Sequence, residues 1–383
     1  MKHNSSIGAI VLAAGRSERM GRFKPLLPLG AQSIAERVVT LFRDAGVGDI
    51  IVVTGHRGAE IRETLGYLNV RWVDNPDFMA GMFTSVLAGL RALPSACRAF
   101  FIHPVDIPLV RLQTVKRLIT VFQKTRASIL YPAFSSRRGH PTLIRTRLVP
   151  EIMKWPGIGG LRAFLHRHEG ESIEFPVADE AVLLDMDIPA DYQRILERMQ
   201  NETLPSAEEC RVLMEEIQAL PLSIVSHCRA VAAVAQRIAE ALNAAGAAID
   251  MERVRAAALL HDIARMQKNH AESGARLLEI HGFSGIAPIV GAHMDLEVDA
   301  DAPIDESQVV FLADKLVIGD RYVDLAQRFV RKLEKYGHDP STVAHILKRK
   351  ENARRVMLKV EEISGTDLDS ILESTRADQG GGR

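Results

Sequence analysis

Up to about residue 198 the chain alternates short apolar, β-rich runs with amphipathic stretches of helical period. Ile7 to Leu12, Ile50 to Thr54, Val70 to Val73, Ala99 to His103 and Ser128 to Tyr131 read as strands, and residues 33–45, 58–66, 83–92 and 111–123 as helices. Such an alternation predicts an α/β, Rossmann-like domain: a mostly parallel sheet with helices on both faces. Ligands of such sheets bind beyond the carboxyl ends of the strands, so the loops there should carry the chemistry. After the polar bridge Gln200-Asn201-Glu202-Thr203-Leu204-Pro205 the pattern changes. Ser206 and Glu209 form a capping box, and helical periodicity then continues to about residue 373 with no convincing strand, which predicts an all-α second domain. The expected organisation is a first domain over 1–198, a linker over 199–205, a helical domain over 206–373 and a tail over 374–383 that has nothing to bury and should be disordered.

Length and charge fit this division. A chain of 383 residues is long for one core. Its 48 Lys and Arg balance 48 Asp and Glu, so no basic field draws nucleic acid or an anionic membrane, and a polyanion must be held by a local site. Cys97, Cys210 and Cys228 have neither metal-type nor disulfide-type spacing, and no apolar run approaches a membrane span. Residues 1–6 are polar and lead straight into a strand, so neither a signal peptide nor an anchor is expected, and a reducing cytoplasm fits.

The densest chemistry lies in Leu12-Ala13-Ala14-Gly15-Arg16-Ser17-Glu18-Arg19-Met20-Gly21, followed by Lys24. Gly15 and Gly21 let backbone amides approach phosphate oxygens, and Arg19 and Lys24 supply the charge a triphosphate demands. A Walker loop would need Gly-Lys-Ser/Thr closing onto a helix, and a dinucleotide fold G-x-G-x-x-G; neither is present. Phosphoryl chemistry also calls for a hard cation with oxygen ligands. Asp106 ends a strand in Pro104-Val105-Asp106-Ile107-Pro108, and Asp187 stands in Asp185-Met186-Asp187-Ile188-Pro189.

The Gly15 stretch resembles the MobA-like nucleotidyltransferases, in particular the molybdenum cofactor cytidylyltransferase branch with its L-A-A-G-x-S-x-R-M-G-x-x-K signature. Guanylyl-using relatives tend to have glycine where this chain has Ala14, so the resemblance leans to CTP. It implies that Leu12, Ala13, Ala14, Gly15, Arg19, Lys24, Thr54, Gly55, Gly81, Ser85 and Asp106 bind the nucleotide, and that Gly139, His140 and Pro141 line the acceptor side. Arg19, Lys24 and Asp106 would be catalytic, and Asp106 and Asp187 would hold Mg2+. It covers about the first 198 residues. The chain departs from the family at Val105, usually glycine, and at Gly157-Ile158-Gly159-Gly160-Leu161-Arg162, where an acidic residue is usual.

A second constellation follows. Ala256-Ala257-Ala258-Leu259-Leu260-His261-Asp262 puts two polar side chains at the end of an apolar helix, where desolvation is costly without a metal or partners. With His227 upstream and Asp314 downstream, the order H…HD…D resembles the HD phosphohydrolase superfamily. The resemblance implies that His227, His261, Asp262 and Asp314 bind metal, with His270 and His293 completing a two-metal site bridged by Asp262, the catalytic residue. Imidazole with carboxylate suits one or two transition-metal ions such as Mn2+ or Fe. Lys268, Lys315 and Arg321 are candidates to hold phosphate, and His166, His168 and His281 read as surface residues.

Together these resemblances imply a bifunctional enzyme. Its first domain would move CMP from CTP, or use another NTP, onto a molybdopterin-type phosphate acceptor, with a molybdenum-enzyme apoprotein as a further partner; its second would be a phosphohydrolase. The alternative is a sugar-nucleotide pyrophosphorylase whose HD domain senses a nucleotide.

Overall fold

In the computed structural model, which describes residues 4–299 and 301–373, the expected strands become β1 (Asn4–Ala13), β2 (Val47–Thr54), β3 (Arg71–Asp74), β4 (Ala99–Pro104) and β5 (Ile129–Phe134). The strand opened by Gly139-His140-Pro141 is β6 (Thr142–Arg145). One more, β7 (Ser172–Pro176), has no apolar run to announce it; it is half exposed and ends in proline, as edge strands allow. The sheet order is β7-β5-β6-β4-β1-β2-β3. All these pairings are parallel except those of β6, which is antiparallel to both neighbours.

Helices α1 (Ile34–Asp44), α2 (Gly58–Leu65), α3 (Met82–Arg91) and α4 (Leu112–Lys124) follow the predicted stretches closely. α1 begins on a Ser33/Glu36 capping box and buries Ile34, Val38, Val39 and Phe42, the apolar positions of its 3.6-residue period. α3 packs so near the sheet that a Cβ on Gly89 would come 2.4 Å from Ile10 Cγ2. Three further helices, α5 (Val149–Lys154), α6 (Gly160–Arg167) and α7 (Pro189–Gln200), complete this unit. Register pairs Leu12 with Pro104 and Ala13 with Thr54, so the loops after β1, β2 and β4 open from one edge of the sheet.

The chain divides into two units between Glu202 and Thr203. The stretch expected as a linker is thus shared out: Met199 and Gln200 continue α7, and Thr203 O accepts a hydrogen bond from Gly285 N at 3.2 Å within the second unit. That unit is helical, with α8 (Ala207–Arg211), a π-helical turn over Val212–Ile217, then α9 (Leu222–Ala244), α10 (Met251–Leu260), α11 (His270–His281), α12 (Ala287–Ala292), α13 (Glu306–Lys315), α14 (Leu325–Tyr336), α15 (Pro340–Ser364) and α16 (Leu368–Ile371). A two-stranded hairpin, β8 (Val317–Ile318) with β9 (Arg321–Tyr322), departs from the expectation of helices alone; strands this short leave no period to read. α9 lies at the centre, packed against α10, α13 and α15. Among the described residues no helix is long and apolar enough to cross a membrane. The expected tail over 374–383 lies outside the described residues.

Candidate functional site

At the edge of the first unit, β1 runs into a loop where Ser17 adopts a left-handed conformation (φ 58°) and Gly21 another (φ 66°). The backbone N–H of Lys24 donates to Ser17 Oγ at 3.1 Å, which folds the loop back on itself. Its residues Leu12, Ala13, Ala14, Gly15 and Lys24 line a cavity of about 270 Å³, joined by Ser85 and Asp106. A Cβ at Gly15 would meet nothing within 4 Å, so the space glycine leaves there faces outward.

Lys24 is buried, and its Nζ lies 2.9 Å from Asp187 Oδ1 and 3.2 Å from Asp106 Oδ2. Arg19 reaches Asp187 Oδ2 at 2.8 Å from a largely exposed position. Two backbone devices bring Asp187 here from far along the chain. Met186 N donates to Asp106 O at 3.0 Å, and the Asp191 carboxylate accepts from the N–H groups of Asp187 and Ile188 at 2.9 Å each, capping α7. Two carboxylates converging on one cation form the oxygen-rich donor set that a hard ion such as magnesium takes.

Not every expected nucleotide residue borders the cavity. Thr54 Oγ1 donates to Asp74 Oδ1 at 2.7 Å, tying β2 to β3, and Gly55 leaves room for Phe78, whose Cβ would lie 2.8 Å from a Cβ there. Both support the site from behind: Phe78 lines the cavity, while Thr54 and Gly55 are absent from its wall. Gly81 lies in the neighbouring cleft.

That cleft, of about 1100 Å³, is lined by Tyr131, Arg138, Gly139, His140, Arg162 and His166 among others. Pro141 is buried beside it and is not part of its wall. His140 Nδ1 has no hydrogen-bond partner, and burial pushes its imidazolium below the ordinary range. Gly139 packs so tightly that a Cβ would lie 2.4 Å from the main-chain oxygen of Val182. Gly139→Ala is therefore expected to destabilise the unit by roughly 1–3 kcal/mol, read as a lower urea midpoint with unchanged slope; an unshifted midpoint would show that the turn yields freely.

In the second unit the signature residues meet. His227 comes from the second turn of α9, His261 and Asp262 end α10, His270 opens α11, His293 ends α12 and Asp314 lies on α13. Nδ1 of His227, His261 and His293 lies 2.8, 2.8 and 2.6 Å from the carbonyl oxygens of Gly319, Ala258 and Val290. A carbonyl only accepts, so each Nδ1 carries a proton and each ring turns its Nε2 inward. Burial pushes the His261 imidazolium down to about 4 and moves His270 in the same direction; at His227 burial acts the same way, but Asp314, the Gly319 carbonyl and Asp262 together outweigh it and the imidazolium is raised.

Asp262 stands between two groups. Its Oδ2 lies 3.7 Å from His261 Nε2 and 3.9 Å from His227 Nε2; its Oδ1 lies 3.3 Å from His270 Nε2 and 3.6 Å from His293 Nε2. The donor atoms of His227, His261 and Asp262 fall within 4.8 Å of one another, as do those of Asp262, His270 and His293. His261 Nε2, His293 Nε2 and Asp262 Oδ1 are buried without a hydrogen-bond partner, a cost of about 1–3 kcal/mol each that ligation removes. These residues fit a divalent transition metal in both triads, with Asp262 common to them.

Three sequence expectations need correction. Lys315 is not free to hold phosphate: it is fully buried, with Nζ 2.6 Å from Asp314 Oδ2 and 3.0 Å from His293 O. His281 is buried rather than on the surface, and His168 stacks 4.7 Å from the Phe164 ring. Arg265, which no motif signalled, lies 3.2 Å from His270 Nε2 and 3.5 Å from Asp262 Oδ1.

Comparisons with known proteins find a match in each unit. The MobA-like NTP transferase domain model matches residues 9–172 and the HD domain model residues 224–318. The chain is 30% identical over 197 residues to the molybdenum cofactor cytidylyltransferase of Escherichia coli, covering 51% of this chain and 97% of that protein. It is 31% identical over 181 residues to the molybdenum cofactor guanylyltransferase of Rhizobium meliloti, covering 45% and 80%. The nicotine blue oxidoreductase of Paenarthrobacter nicotinovorans is 28% identical over 197 residues, covering 50% and 96%. The HD domain implies a divalent metal, which the triads of the second unit fit. The Ala14 loop at the edge of the sheet and this run of relatives lead to one assignment: the chain belongs to the MobA-like NTP transferase family and carries an HD domain behind it.

Proposed function

We propose that the first unit transfers CMP from CTP to a phosphate-bearing acceptor of the molybdopterin type, releasing pyrophosphate, and that the second is a metal-dependent phosphohydrolase. Both would work in the cytoplasm, where CTP is found. The observation that carries the first reading is the Lys24 ammonium held between Asp106 and Asp187 at the mouth of the Ala13-Ala14-Gly15 cavity.

In the transfer an acceptor phosphate oxygen attacks the α-phosphorus in line, the bond to the β-phosphate breaks, and pyrophosphate leaves with the electron pair. Lys24 and Arg19 place positive charge where the departing pyrophosphate gathers negative charge. Magnesium held by Asp106 and Asp187 would add Lewis-acid neutralisation of the same phosphates. The loop amides orient the triphosphate, and the cleft that contains His140 receives the acceptor. In the second unit a metal held by His227, His261, Asp262 and Asp314, with a second on His270 and His293, would lower the pKa of a water for attack on a phosphoester. There the chain's own work is to fix the proton of each imidazole on Nδ1 and aim its Nε2 through the carbonyl partner.

Ala14 supports CTP over GTP. Ala14 lines the cavity, and its methyl group packs toward Gly55 behind the site, where a Cβ would come within 3.0 Å of it, so the residue sets how the loop backbone stands off from β2. The wild type is expected to prefer CTP in a competition assay, and Ala14→Gly to narrow the gap. A wild-type preference for GTP contradicts the cytidylyl reading.

A further inference from the structure

The two halves of the metal centre are not alike. In the half formed by His227, His261 and Asp262, His261 Nε2 has no hydrogen-bond partner, and the nearby cations Lys315 and Arg328 contact Asp314 rather than the three donor atoms of the triad. In the half formed by Asp262, His270 and His293 a further group intervenes. Arg265 Nη1 lies 3.2 Å from His270 Nε2 and 3.5 Å from Asp262 Oδ1, and these two atoms are themselves 3.3 Å apart. The guanidinium thus stands against two of the three donor atoms of that triad.

A guanidinium only donates, so His270 Nε2 receives this bond through its ring lone pair. A metal ion needs the same lone pair, and one lone pair serves one partner. An ion about 2.1 Å from both His270 Nε2 and Asp262 Oδ1 would also lie no more than about 4.2 Å from the Arg265 nitrogen on any approach, where the two positive charges repel. Arg265 is placed to yield. Its side chain is half exposed, whereas Asp262 and His293 are buried, so the guanidinium can turn out to water while the donors stay where they are.

Resting on the metal-dependent reading above, we infer that Arg265 is a tethered competitor for the second ion and makes the His270 and His293 position the weaker, exchangeable one. The ion on His227, His261 and Asp262 meets no such competitor and binds first. The second enters only as the guanidinium swings away, so the unit passes from a one-ion to a two-ion form as free metal rises.

The test titrates the full chain, stripped with a chelator, with Mn2+ in a calorimeter and counts bound ions by elemental analysis. Wild type is expected to fill one position before the other. Arg265→Ala should tighten the second ion at least about tenfold and leave the first within about twofold, while Arg265→Lys, which keeps the charge, should hold the second ion weak. Adding His270→Ala to Arg265→Ala should return the count to one, which assigns the tightened ion to this position. Equal second-ion affinity in wild type and Arg265→Ala overturns the inference, as does an equal gain at both positions. A single ion in both proteins removes the second position and the competitor with it. Absence of metal from every variant removes instead the reading on which the inference rests.

Discussion

Lys24→Ala is expected to lower nucleotidyl transfer at least about a hundredfold, because two charge-assisted hydrogen bonds of roughly 1.5–3 kcal/mol each disappear from one buried ammonium. Its Nζ joins Asp187 and Asp106 at 2.9 and 3.2 Å, so the substitution also leaves two carboxylates facing one another without their shared cation. Arg19 holds Asp187 from an exposed side chain, where water and salt screen the charge, and Arg19→Ala should cost only about tenfold. Pyrophosphate release at saturating CTP, with a CTP titration beside it, measures both. Wild-type rates in both variants would take these residues out of the site, and an equal loss in both would mean that burial does not set their weight.

The second large effect belongs to Asp262. Because its two carboxylate oxygens face different histidine pairs, Asp262→Ala should empty both metal positions at once and leave buried imidazoles unpaired. His270→Ala, by contrast, should reduce the content from two ions to one. Metal activation of water is worth several kcal/mol, so phosphoester hydrolysis is expected to fall at least about a thousandfold in Asp262→Ala. Elemental analysis after manganese or iron reconstitution, paired with a phosphate-release assay, checks this. A wild type without stoichiometric metal, or an Asp262→Ala variant as active as wild type, rules out catalysis here and leaves a domain that senses its ligand.

Much of this was legible along the chain because local rules and tertiary packing agree. The Ser206/Glu209 capping box forms, and the strands and helices read from apolar periodicity lie within a few residues of their observed bounds. The His-Asp pair at the end of an apolar helix was readable because burying it alone is so costly. What stayed hidden depends on residues far apart in the chain. Nothing local tells that Lys24 sits between Asp106 and Asp187, since that contact follows from the Met186–Asp106 backbone bond and the Asp191 cap. Thr54 sits where a motif suggests a ligand contact, yet its hydroxyl is taken by Asp74 across the next strand. Lys315 looks like any lysine near a helix end, and only the packing of α13 against α12 turns it inward onto His293 O.

The most direct measurement is to incubate the full chain with magnesium and molybdopterin, add each of the four ribonucleoside triphosphates in turn, and follow pyrophosphate together with the nucleotide linked to the acceptor. Pyrophosphate formed one for one with a cytidylylated acceptor, faster from CTP than from GTP and lost in Lys24→Ala, is the predicted result. Absence of pyrophosphate with every triphosphate, or release that does not depend on the acceptor or on Lys24, would contradict it.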